Sequence, residues 1–284
     1  MPRRPARPTP SNPPQNPDPP RPTPAANLRE RVLADCAALK VPLRAEQLDA
    51  LLSRATQEGL SHLEFMHRLL SEQADQRRER SIAYRIREAC FRDPHTLATF
   101  DWQFNAAAIN RTQIEELATG EFVRRKDNLV LVGQSGVGKS HIVEAVGRSV
   151  CAVGYRVRYT TSAGLIENLT AALADRTLPR RVRYYTRFDL LIVDEFGFDR
   201  LERREARDAA SLLFKVIDAR LQKHATALVT NIDFDTWGEY LGDPPLAMAL
   251  LDRIVDGAII VKINGKSYRA HRAQQASSGK RSSK

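Results

Sequence analysis

One stretch narrows the possible folds more than any other. Gly133-Gln134-Ser135-Gly136-Val137-Gly138-Lys139-Ser140 satisfies the pattern GxxxxGK[ST]. It follows an apolar segment, residues 128–132, expected as a strand. It opens residues 139–153, expected as a helix ended by Gly154. Glycines in such a loop let backbone N–H groups turn inward around phosphate oxygens. The helix that begins there points its positive end at the same anion. Lys139 sets a point charge on the β and γ phosphates, and the Ser140 hydroxyl is a hard ligand for magnesium. His141 follows in the same turn as a further candidate nucleotide contact. A loop that binds phosphate without hydrolysis is the alternative, and a chance match is disfavoured by the strand-loop-helix setting.

From residue 128 onward, strands and helices alternate. Strands are expected at 156–160, 189–194, 225–230 and 258–263, and helices at 162–174, 203–222, 235–241 and 246–255. Continuous apolar strands between helices mean a parallel sheet covered on both faces. Leu190-Leu191-Ile192-Val193 ends in Asp194-Glu195. An acid at that strand end holds magnesium, and the adjacent Glu195 can act as general base toward water. That base argues against a small-molecule kinase, whose nucleophile is the substrate's own hydroxyl. The strand at 225–230 is expected between the loop strand and the Asp194 strand. Asn231 would then reach the γ phosphate or the attacking water, unless it only forms a turn. Arg253, near the end of a helix, is either an arginine finger acting across a subunit boundary or a surface arginine paired with Asp252 or Asp256.

The remaining chain is organised around this core. Residues 1–27 are rich in Pro and Arg and are expected to be a disordered tail. Residues 28–94 read as a small all-helical domain, with a capping box at Ser61 and Glu64 and an arginine-rich helix ending near Asp93-Pro94. Residues 95–127 form a linker, with Phe100, Trp102 and Phe104 alternating as in an extended segment, and then a helix ended by Gly120. The ATPase core is expected at 128–270 and a basic disordered tail at 271–284.

The formal net charge is +10, of which residues 1–27 carry +3 and residues 271–284 carry +4. Basic tails favour a polyanion through counterion release, or simply keep the chain soluble. Arg77, Arg78, Arg80 and Arg85 crowd one helix. Arg180, Arg183 and Arg187 share one helix face beside Tyr184 and Tyr185. Either cluster follows a phosphate backbone or forms a solvated face. The two clusters together with the basic tails favour nucleic acid. Without a base-reading signature, the expected contact is sequence-independent. The three cysteines form no CxxC pair and read as reduced cytoplasmic thiols, and no stretch is apolar enough for a membrane helix.

The stretch from about Leu28 to Arg272 resembles the IstB-like ATPases, helpers of a class of insertion sequences and AAA+ ATPases of the DnaC-like helicase-loader branch. The resemblance is carried by Gly154-Tyr155-Arg156-Val157-Arg158-Tyr159-Thr160-Thr161, by Glu195-Phe196-Gly197-Phe198, by Trp237-Gly238-Glu239 with Gly242-Asp243-Pro244, by Leu251-Asp252-Arg253, and by Gly265-Lys266-Ser267-Tyr268-Arg269. It implies an AAA+ P-loop fold, ATP and magnesium, duplex DNA, a cognate transposase and a homo-oligomer in the ATP state. It also implies that Asn231 is a first nucleotide sensor, Arg253 an arginine finger and Arg269 a second sensor. A helicase loader acting on single-stranded DNA shares the same core, and a small-molecule kinase is the reading from another class. The Pro/Arg-rich extension departs from the family pattern. With little chain after Ile263, the helical lid of larger AAA+ proteins is not expected.

Overall fold

The computed structural model describes residues 24–198 and 206–281. The Pro/Arg-rich segment before residue 24, the start of the expected 203–222 helix and the last three residues lie outside the described residues. The chain divides into two compact units between Arg78 and Glu79.

The first unit holds α1 (Pro24–Ala38), α2 (Ala45–Glu58) and the start of α3 (His62–Ala89). Leu48 and Leu51 of α2 are buried, and Arg29 of α1 forks onto the Asp49 carboxylate, with Nε 2.8 Å from Oδ1. Gly59 ends α2 in the left-handed region, at φ 64°. The capping box forms as expected: Ser61 N donates to Glu64 Oε2 at 2.8 Å, and Glu64 N donates to Ser61 Oγ at 3.3 Å.

Two helices expected from sequence merge into α3, a single helix of 28 residues. It stops at Ala89, before Pro94, because Cys90 takes a positive φ of 56°. The division between units therefore lies inside α3, well before position 94. The far end of α3 belongs with the larger unit for a packing reason. Ala89 is fully buried there, Ile86 and Phe91 pack on its core, and Arg85 Nε donates to the Cys151 carbonyl at 2.7 Å.

In the larger unit, residues 95–110 are a strap, not an extended segment. Thr96 caps a short 3-10 turn at Leu97–Thr99, and Asp101 Oδ1 accepts from the N–H groups of Gln103 and Phe104, folding the chain back. Then follow α4 (Arg111–Ala118), α5 (Glu121–Arg125), β1 (Leu129–Gly133), α6 (Lys139–Ala152), β2 (Val157–Thr161), α7 (Ser162–Ala174), α8 (Leu178–Thr186) and β3 (Leu190–Phe196). After them come α9 (Ala206–Arg220), β4 (Ala225–Thr230), α10 (Trp237–Leu241), α11 (Pro244–Val255), β5 (Ile259–Ile263) and α12 (Tyr268–Arg281). Gly120 ends α4 as expected, at φ 78° with its N–H donating to the Leu117 carbonyl at 3.1 Å, and also serves as the N-cap of α5. The residues from 271 to 281, expected as a structureless basic tail, continue α12.

The five strands form one parallel sheet in the order β2-β3-β4-β1-β5, with β4 between β3 and β1 as expected. Side chains alternate across it. Leu129, Leu131, Ile192 and Val229 pack under α4, α5 and α6, while Val130, Leu191, Val193 and Leu228 pack under α7, α9 and α11. This is an α/β architecture with a parallel sheet between helices, as expected from the sequence, and the carboxyl ends of all five strands lie on one edge.

Arg220 locks the opposite edge. It is 1% exposed and donates to the carbonyls of Tyr185, Phe188 and Ala225 and to Thr226 Oγ1. Burial pushes its guanidinium pKa down to about 9. Arg220→Ala should cost about 3–5 kcal/mol in a urea or thermal unfolding series, because several buried carbonyls lose their donor at once. A loss below about 1 kcal/mol would show that water replaces the guanidinium.

Candidate functional site

The carboxyl edge of the sheet carries an open cleft of about 1080 Å³. That exceeds the usual volume of small-molecule sites and is ample for a nucleotide. Ser135–His141, Asp194, Glu195, Asn231 and Arg269 all line it.

The loop is shaped by backbone constraint. Gly133 approaches β5 so closely that a Cβ would sit 2.3 Å from the Ile263 carbonyl oxygen. Gly136 has φ 85°, and a Cβ there would meet Ser267 Oγ at 2.3 Å. Tyr268 N donates to the Gly136 carbonyl at 2.9 Å, so the start of α12 holds the loop from outside. Lys139 is 8% exposed and folds back, donating to the carbonyls of Gly133 at 2.6 Å and Gln134 at 2.8 Å. Burial lowers its pKa, Asp194 raises it and Arg269 lowers it. An anion in the loop would offer the ammonium a stronger partner than neutral carbonyls.

Asp194 is buried at 1% exposure. It accepts from Tyr159 Oη at 2.9 Å on one oxygen and from Glu195 N at 2.7 Å on the other. Two acceptor positions of four are then used, leaving the carboxylate able to hold magnesium through its water shell. Tyr159 was not singled out as a site residue from sequence. Its only signal is a tyrosine inside an apolar strand, a residue that needs a polar partner when buried. Burial and the adjacent Asp194 push its phenol far above the usual range.

At Asp194-Glu195, β3 carries one extra residue against β4: Val193 pairs Leu228, and the next pair is Phe196 with Thr230. Glu195 takes φ 60° in this bulge, which turns its side chain out into the cleft. There its Oε1 meets Arg92 Nη1 at 2.7 Å. Asn231 follows the end of β4 on the same edge, and its Oδ1 lies near the Gly197 backbone.

His141 stacks on His95 with ring centroids 4.1 Å apart, and one ring nitrogen lies 3.0 Å from the Thr96 carbonyl oxygen. Here His141 ties the strap to α6. Beside it Glu144 is fully buried, and burial pushes its carboxyl up to about 7.

Arg253 does not line the cleft. It pairs with Asp218 at 3.1 Å and Asp252 at 2.9 Å and lies over the Phe214 ring. The pairing with Asp252 matches one alternative from sequence, and Asp256 is replaced by Asp218. Asn128 fixes the end of that helix by donating to the Arg253 and Ile254 carbonyls.

The arginine clusters also separate. Arg77, Arg78 and Arg80 are exposed, whereas Arg85 is half-buried and tied to Cys151 and Ser81. Arg180, Arg183 and Arg187 are exposed on or beside α8. Arg187 lies over the Tyr184 ring at 4.5 Å, and Arg158 and Arg181 reach the same ring at 5.8 Å. Among the described residues, no helix is long and apolar enough to cross a membrane.

Tyr159→Phe removes a buried donor to a carboxylate. It should lower stability by about 1.5–3 kcal/mol in thermal or urea unfolding. An unchanged midpoint would mean that Tyr159 does not hold Asp194.

Residues 34–276 match the family described as IstB-like ATP binding protein. A relative named as an ATP-binding protein of insertion sequence IS5376, from Geobacillus stearothermophilus, is 32% identical over 85% of this chain and 94% of its own. Another, named for insertion sequence IS21 from Pseudomonas aeruginosa, is 33% identical over 84% of this chain and 88% of its own. A crystal structure of DnaI is similar at TM-score 0.49 and 18% identity, over 60% of this chain and 91% of that one. With the family model matching most of the chain and these relatives similar along most of their length, the chain belongs to the IstB-like ATP-binding family of insertion sequences.

Proposed function

We propose that this chain is a magnesium-dependent ATPase that assembles in its ATP state on duplex DNA, without sequence preference, and assists a transposase. The observation that carries the reading is the convergence of the Gly133–Ser140 loop, Asp194-Glu195 and Asn231 on one edge of the sheet. The relatives' names, each tied to an insertion sequence, support the transposase.

In this reading the loop amides and Lys139 bind the β and γ phosphates, after Lys139 releases the loop carbonyls. Ser140 and Asp194 hold magnesium, which supplies charge neutralisation at the phosphate oxygens when bound. Glu195 takes the proton of the attacking water, and Asn231 orients that water or the γ phosphate. Arg269 touches the nucleotide from α12. Arg253, outside its own cleft, acts on the γ phosphate of a neighbouring subunit after exchanging its pairs with Asp218 and Asp252. The exposed arginines of α3 and α8 meet the DNA backbone.

Three substitutions separate these roles in nucleotide-binding and hydrolysis assays. Lys139→Ala should weaken ATP binding by roughly 10- to 100-fold and abolish ATP-dependent assembly. Full DNA-bound oligomers in that variant would sink the mechanism. Glu195→Gln should keep ATP binding while hydrolysis falls about 100- to 10,000-fold. Arg253→Ala should leave monomer binding intact and lower hydrolysis at least about tenfold, only at protein concentrations that allow assembly. Hydrolysis independent of Arg253 and of DNA, with transfer to a soluble acceptor, would favour the small-molecule kinase instead.

A further inference from the structure

Glu144 has no role in the chemistry proposed above, yet it is a fully buried carboxylic acid on the helix that begins at the phosphate loop. Its Oε2 accepts from Asp93 N at 3.0 Å and lies 3.7 Å from His95 Nδ1. Its Oε1 and the same His95 Nδ1 are buried without a hydrogen-bond partner. Arg148 Nε beside them is also unpartnered, while Arg148 Nη2 donates to the Asp93 carbonyl at 2.7 Å. Buried polar atoms without partners are uncommon, and a cluster of them points to an occupant such as an ion.

The donors fit a metal ion. One ligand atom each from Asp93, His95 and Glu144 fall within 4.8 Å of one another. Around a zinc-sized ion, ligand atoms at about 2.0–2.2 Å from the metal stand roughly 3–3.5 Å apart. The exposed Asp93 side chain can close that gap by a small rotation. With Glu144 deprotonated on binding the ion, two carboxylates face one guanidinium. The imidazole nitrogen selects against magnesium and calcium, which prefer oxygen ligands alone.

We propose that Asp93, His95 and Glu144 form a site for a divalent transition-metal ion of the zinc type, separate from the magnesium expected at Ser140 and Asp194. The ion clips residues 93–95 to α6. Those residues run directly into the strap, whose Thr96 carbonyl meets His141. Occupancy therefore stiffens one wall of the nucleotide cleft without entering its chemistry.

The test is zinc titration of the full chain without nucleotide, by calorimetry and by metal analysis after dialysis. Cobalt substitution serves as a visible-spectrum probe of an imidazole ligand. Wild type should hold one zinc per chain and gain thermal stability with it. His95→Ala and Glu144→Gln should each lose at least the roughly 10- to 100-fold affinity that removal of even an outer partner costs. Asp194→Asn should keep the zinc, and circular dichroism verifies that each variant is folded. No retained zinc in wild type would overturn the site, as would equal binding by His95→Ala. Loss of zinc in Asp194→Asn alone would assign the ion to the magnesium position and overturn it equally. None of these outcomes depends on ATP hydrolysis, so the metal site and the proposed activity fail or stand separately.

Discussion

The phosphate loop is held by close approach of its glycines to β5 and the start of α12, and the geometry of the cleft follows from that. Gly133 lies against the Ile263 carbonyl, and Gly136 lies against Ser267 while its own carbonyl accepts from Tyr268 N. Both contacts come from chain more than a hundred residues later. β5 and the start of α12 thus fix a loop whose glycines would otherwise be free to collapse. The same docking brings Arg269 to the cleft. Residues 263–269, expected within the core, are therefore part of the site.

The acidic side of the cleft is shaped by a complementary device. The extra residue in β3 leaves Asp194 inside, held by Tyr159 and by its own neighbour's amide, and turns Glu195 outward. Two adjacent carboxylates thereby receive opposite environments, one buried and one open to the cleft. Outside, Glu195 meets Arg92, from the segment that follows α3. This pair is largely solvent-exposed and adds little to stability. Its importance lies in position, because the side chain proposed to activate water is already engaged by a cation.

Much of the fold was legible because its signals are contiguous. The loop, the apolar run before Asp194, and the strand before Asn231 each declare themselves within eight residues, and of the sheet order the place of β4 between β1 and β3 was expected with them. The fate of the strap was not legible. Phe100, Trp102 and Phe104 alternate as a strand would, but Asp101 folds the backbone into turns. Contacts between distant residues were equally hidden. Tyr159 with Asp194 spans 35 positions, and Arg92 with Glu195 spans 103. The arginine-rich end of α3 shows a further limit. Spacing alone cannot distinguish Arg85, anchored on the Cys151 carbonyl, from its exposed neighbours Arg77 and Arg78.

The account makes nucleotide state the control over DNA. The direct measurement is binding of the full chain to duplex and to single-stranded DNA of arbitrary sequence, with ATP, with ADP and without nucleotide, at two salt concentrations. ATP-dependent duplex binding that forms large oligomers and weakens with salt is the predicted result. Equal binding in all three nucleotide states, preference for single strands, or no binding to either at low salt would contradict it.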